Sequence, residues 1–138
     1  MPQPTIANPA HARGVLAESG FERITFEVPG TSYRFELLVY QQPRTPVGKR
    51  IVGTIRAQAK RVDLVHTGGR YVEPVYGRPR RVQGEVLAID AVENTITVDA
   101  GLPIVCRLTD ARQKAGDFPP GSFVSFDVTP GASFTPVP

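Results

Sequence analysis

The sequence predicts an all-β protein, and three observations carry that expectation. Short runs of alternating apolar and polar residues recur along the chain, the period of a strand with one face buried. The 13 glycines and 14 prolines fall at intervals between those runs rather than in one tract, which suits many short strands joined by tight turns. Only one stretch, residues 110–115, combines a capping residue with a following stop signal for a short helix. At 138 residues the chain fits one domain with a core of its own, without disulfides or metal.

Taken in order, residues 1–20 hold three prolines and no periodic apolar pattern. They are expected as a flexible N-terminal arm, or as a strap lying on the domain, because they offer little apolar surface to offset the entropy of ordering. Ile24-Thr25-Phe26-Glu27-Val28 alternates strictly, Pro29-Gly30 suits the centre of a type II turn, and Tyr33 to Tyr40 returns with Tyr33, Phe35, Leu37 and Val39 on one face. Residues 41–48 are a loop. A strand follows with Ile51, Gly53, Ile55 and Ala57 in phase, then a run with Val62, Leu64 and His66 in phase. Thr67-Gly68-Gly69-Arg70 reads as a hairpin turn, and 71–76 as a return strand that Pro74 demotes to an edge or a bulge.

From residue 81 the pattern looks repeated. Arg50-Ile51-Val52-Gly53-Thr54-Ile55-Arg56-Ala57 aligns with Arg81-Val82-Gln83-Gly84-Glu85-Val86-Leu87-Ala88 in its Arg, Gly and Ala and in two β-branched places. One reading is a duplicated meander over 49–76 and 80–108; the other is that short meanders with a glycine at a bend resemble each other by necessity. Thr109 or Asp110 caps the short helix, and Gly116 stops it. Ser122 to Val128 alternates again, and Pro130-Gly131 turns the chain back into a last strand over 133–137.

Strand, strand, strand, short helix, strand, strand is the order from residue 81 onward. The runs VQGEVLAID (82–90), NTITVDAG (94–101), PIVCRLTD (103–110) and PPGSFVSFDV (119–128) carry it, and in this order they resemble a five-stranded OB-fold barrel. The transport-associated OB domains of importer ATPases have a similar run of turn glycines. The resemblance implies an OB-like barrel over 81–137, with residues 24–76 as added strands or as a second small barrel sharing its core. The whole of 21–138 is then expected as one domain. A fold of this kind carries no function by itself.

Function must come from sites, and few residues offer chemistry. Cys106 alternates in phase with Ile104 and Leu108, so it is expected as a small buried hydrophobe rather than a reactive thiol. One cysteine and two histidines, His11 and His66, spread along the chain make no metal cluster. Asp90, Asp99, Asp110, Asp117 and Asp127 flank turns or strand ends. Thr67-Gly68-Gly69-Arg70 lacks the lysine and hydroxyl of a phosphate-binding loop. The chain is therefore expected to be non-enzymatic, with no cofactor and no metal.

Charge gives the sharper lead. Residues 44–81 hold ten basic residues against two acids, a local charge of +8, while the remaining six basic and eleven acidic residues sum to −5. The expectation is a binding module for nucleic acid, single-stranded, through Lys49, Arg50, Arg56, Lys60, Arg61, Arg70, Arg78, Arg80 and Arg81, with Tyr71 and Tyr76 as stacking platforms. Two other readings stand beside it: a protein-interaction or self-assembly module, and a small-anion-binding OB-like domain. Arginine and lysine also blunt exposed strand edges with no ligand at all. No apolar run approaches the roughly 20 residues of a membrane helix. The N-terminal residues lack the pattern of a secretory signal. A cytoplasmic location and no membrane partner are expected.

Overall fold

The computed structural model describes residues 9–137. Their regular structure is almost wholly β: twelve strands and one 3-10 turn among the described residues. Strands β1 (His11–Ser19), β2 (Arg23–Glu27), β3 (Arg34–Leu38) and β4 (Arg50–Ala59) come first. Short β5 (Asp63–Leu64), β6 (Tyr71–Glu73) and β7 (Tyr76–Gly77) follow, then β8 (Arg81–Asp90), β9 (Thr95–Asp99) and β10 (Pro103–Leu108). The 3-10 turn Ala115–Asp117, β11 (Phe123–Asp127) and β12 (Ser133–Pro136) come last. No helix among the described residues is long and apolar enough to cross a membrane.

β1, β2, β3, β12 and β4 pair in a ring, because β4 returns to pair with β1. This small closed five-stranded barrel is consistent with an OB-like fold. Its position departs from expectation: the closed ring is built from the first four strands plus the last, not from residues 81–137. The remaining large strands form a second ring, β8-β9-β10-β4-β11, in which the end of β4 runs parallel to β10. A single bridge, Ala59↔Val128, closes it, supported by Lys60 N–H to Asp127 O at 2.8 Å and Thr129 N–H to Gln58 O at 2.9 Å. One continuous core of buried residues spans both rings. The two rings thus share a core, but neither is built from residues 24–76 alone: the first takes β12 and the second takes the end of β4.

The two rings repeat each other in register. Val15↔Glu27 and Leu16↔Phe26 lead into a bulge, after which Glu18 pairs with Thr25. Glu85↔Asp99 and Val86↔Val98 lead into a bulge, after which Ala88 pairs with Thr97. Gly14↔Ile51 corresponds to Gly84↔Val124, and Ile24↔Leu37 to Ile96↔Cys106. Even the entry turns match: Gly48 N–H donates to Leu16 O at 2.7 Å and Gly121 N–H to Val86 O at 2.8 Å. The fifth strands are exchanged, since β12 follows β11 in sequence but completes the first ring, and the end of β4 completes the second.

One glycine in the first strand of each ring allows its neighbour to come close. A Cβ on Gly14 would lie 2.4 Å from Glu27 O, and one on Gly84 would lie 1.9 Å from Asp99 O. Only glycine lets the neighbouring backbone come that close. Above Gly14 and Gly53 lie the rings of Phe26 and Phe134, packed together with centroids 5.3 Å apart.

Several expectations need correction. His11–Ser19, expected as an arm, is a strand with Ala12, Gly14 and Leu16 turned inward; small inward residues hid its period. Residues 1–8 of that arm lie outside the described residues. The meander over 49–76 does not form, because β4, β5 and β6 do not pair with one another: β5 pairs with β11 and β6 with β8. The Gly68-Gly69 turn is therefore not a hairpin, and Leu64 and His66 are exposed while Val62 is buried. β12 pairs with β3 and β4, not back onto β11. The short helix expected near 110–115 falls at the end of that stretch, as the 3-10 turn Ala115–Asp117; before it, Asp110 caps a turn through Arg112 N–H at 2.9 Å. The Arg112 guanidinium holds the Asp110 carboxyl down to about 2.

Candidate nucleic-acid interface

The eleven residues expected at the site fall into three groups. Four cations are neutralised: Arg61 by Asp63 at 3.3 Å, Arg70 by Glu85 at 3.2 Å and Asp99 at 3.4 Å, Arg78 by Glu36 at 3.9 Å, and Arg81 by Asp127 at 2.8 Å. The bond to Asp127 raises the Arg81 pKa further. Lys49, Arg50, Arg56, Lys60 and Arg80 are exposed and have no ion pair among the described residues. Tyr71 is half-buried, its hydroxyl bonded to Gln83 Oε1 at 3.0 Å. Tyr76 is 65% exposed, with the Arg34 guanidinium 5.8 Å from its ring centroid. Arg34 in turn is paired with Glu27 and Glu18.

Strand register decides which unpaired cations share a face. Side chains of directly paired residues emerge on the same side of a sheet. On β4 the inward residues are Ile51, Gly53, Ile55, Ala57 and Ala59, so Arg50, Val52, Thr54, Arg56 and Gln58 point outward. β1 places Val15, Arg13 and His11 beside Arg50, Val52 and Thr54. Further along the same edge, β10 places Val105 and Arg107 beside Arg56 and Gln58. Arg13, Arg50, Arg56 and Arg107 therefore emerge on the outer side of three adjacent strands. None has an ion pair among the described residues. From Arg50 to Gln58 the strand covers about 26 Å at roughly 3.3 Å per residue.

The corresponding face of the second ring is closed. Its counterparts of Arg13, Val52 and Arg50 are Gln83, Ser125 and Phe123. The loop at 66–70 lies over them: Gln83 Nε2 donates to Gly69 O at 3.0 Å, and Arg70 sits 5.8 Å from the Phe123 ring centroid. Arg81 bonds Ser125 Oγ at 2.8 Å. These polar groups find their partners within the chain, and the Gly68-Gly69 loop caps this face.

Arg13 and Arg107 are not among the cations that sequence singles out for the site. Arg107 was legible, because it alternates against Ile104, Cys106 and Leu108; Arg13 was not, lying in a strand whose inward residues are mostly small. Cys106 is fully buried, and burial pushes its thiol pKa up. The native protein is expected to resist alkylation at neutral pH and to react fully once unfolded in guanidinium; rapid native labelling followed by mass spectrometry would contradict that placement. Among the described residues no three of the His, Cys, Asp and Glu side chains gather as a metal-binding group.

Fold and geometry together show a small double-ringed β-barrel protein, consistent with an OB-like fold at a coarse level. Comparison with protein-family models, with curated proteins and with solved structures finds no match.

Proposed function

We propose that this protein binds single-stranded nucleic acid along the outer face of β1, β4 and β10, with Arg13, Arg50, Arg56 and Arg107 taking successive phosphates. One observation carries the reading: these four arginines line adjacent strands without carboxylate partners among the described residues, while the structural repeat of the same fold does without arginine at the matching β1 and β4 positions. The barrel therefore does not require them. Held by a rigid sheet, they gain affinity chiefly by releasing counterions from the strand they neutralise. The span suits the short single-stranded stretches, about 4–16 nucleotides, that barrels of this kind hold.

The test is fluorescence anisotropy of a labelled oligothymidylate titrated between about 50 and 200 mM salt. Four phosphate contacts predict a slope of log affinity against log salt near −3, at roughly −0.7 per contact for single strands. Replacing the four arginines together by glutamine is expected to flatten that slope and weaken binding by about 100-fold or more. Replacing the ion-paired Arg61 and Arg78 by glutamine is expected to change little. Binding that ignores salt, or that survives the fourfold replacement, would remove the proposal.

A further inference from the structure

The exposed aromatics point past the cationic strip. Phe21 is 90% exposed and Tyr40 is 86% exposed, and both line one open cleft with Glu22, Leu38, Val39, Gln41 and Gln42. Exposure of this degree leaves neither ring a packing role in the barrel. The loop that carries Phe21 is nonetheless pinned. Gln42 Nε2 donates to Gly20 O at 2.7 Å and also to Phe21 O, and Ser19 Oγ donates to Gln42 Oε1 at 3.2 Å. Val39 N–H to Glu22 O at 2.9 Å ties the two walls of the cleft together.

The internal repeat again supplies a comparison. Leu108 N–H to Asn94 O at 3.0 Å is the counterpart of the Val39–Glu22 bond. The residues then matching Phe21 and Tyr40 are Glu93 and Thr109. The fold itself asks for no aromatic at either place.

Strand β1 leads from the strip to the loop that carries Phe21, and Ser19 at its end bonds Gln42 of the cleft wall. Arg50 pairs with Val15, and Phe21 lies six residues further along the chain, at most about 20 Å of extended backbone. A nucleic-acid strand whose phosphates follow Arg107, Arg56, Arg13 and Arg50 runs along β1 in the direction of the loop that carries Phe21.

We infer that Phe21 and Tyr40 form a stacking clamp for unpaired nucleobases at the end of the cationic strip. The inference rests on the nucleic-acid reading above and adds to it a base-contacting site. Two exposed rings, Phe21 on backbone that Gln42 braces and Tyr40 next to the Val39–Glu22 bond, offer faces to a planar base, and every base has a π-face, so the clamp is sequence-tolerant.

The chain contains no tryptophan, so Phe21→Trp makes a single-reporter protein. Titration with an oligothymidylate of about twelve nucleotides is expected to quench that tryptophan. Phe21→Ala and Tyr40→Ala are each expected to weaken oligonucleotide binding about tenfold, the loss of one stack. Their unfolding temperatures should stay at the wild-type value, since neither side chain is buried. An abasic oligomer of the same length should bind wild type and both alanine variants alike through the strip. Wild-type binding of the oligonucleotide, with no quenching in Phe21→Trp and no weakening in the alanine variants, overturns the clamp while leaving the strip standing. Failure of the wild type to bind the oligonucleotide at all overturns the underlying reading. Quenching by an aromatic-rich peptide but not by the oligonucleotide overturns the clamp in favour of a protein partner.

Discussion

Gly84→Ala is expected to destabilise the protein by about 3 kcal/mol or more, at the upper end of overpacking effects. The methyl group would sit 1.9 Å from Asp99 O and 2.6 Å from the Asp99 carbonyl carbon, and both are backbone atoms of β9 that no rotamer change can move aside. Relief requires β8 and β9 to separate at Glu85↔Asp99, which breaks the ladder where the strand bends. For a chain of this size such a loss lowers the unfolding temperature by roughly 10 °C. Gly116→Ala is the control: nothing lies within 4 Å of its would-be Cβ, so its melting curve should stay within about 0.5 kcal/mol of wild type. Equal melting curves for the two variants would mean that β8 does not approach β9 as described.

Phe134→Ala carries the second large effect, an expected loss of about 3–5 kcal/mol. Phe134 is fully buried, stacks at a tilt on Phe26, and fills the space over Gly53. It also belongs to the four-residue strand that closes the first ring by pairing with β3 and β4. Losing it removes both core volume and the anchor of that closure. Amide hydrogen exchange should accelerate first in β3 and the first half of β4, while β8, β9 and β10 keep more of their protection. Thr135→Ala, an exposed neighbour on the same strand, should be nearly neutral. A loss below about 1 kcal/mol for Phe134→Ala would show that the last strand is not integral to the barrel.

How much of this was legible depends on what each residue says alone. The hairpin of β2 and β3 was plain because Ile24, Phe26 and Val28 alternate with polar residues, Phe35 and Leu37 alternate with Arg34 and Glu36, and Gly30 turns with φ +79°. The all-β class followed from the same period in β4, β9 and β11. β1 escaped because Ala12 and Gly14 mark its inward face by absence of bulk, a signal that hydropathy does not weigh. The repeat was sensed at the wrong offset: Arg50–Ala57 resembles Arg81–Ala88 in letters, but β4 corresponds in pairing to β11, and β8 to β1. Local spacing reports strand character; which strand pairs with which is decided by tertiary contacts far apart in sequence. The exchange of β12 could not have been read at all, since nothing in Ser133 to Pro136 names its partner.

Charge along the chain misleads in the same way. A run of basic residues in sequence is not a face in space: β4, β5, β6 and β7 pair with different strands. Ion pairs at Arg61, Arg70, Arg78 and Arg81 then remove four of the expected cations. What the local charge excess did identify was β4, whose Arg50 and Arg56 are joined by Arg13 and Arg107 only through pairing.

Amide chemical-shift mapping during an oligothymidylate titration tests the account most directly. The expected map places the largest perturbations on residues 11–15, 50–58 and 105–107, continuing to Phe21 and Tyr40. A map centred instead on residues 60–81, or no perturbation at low salt, would contradict it.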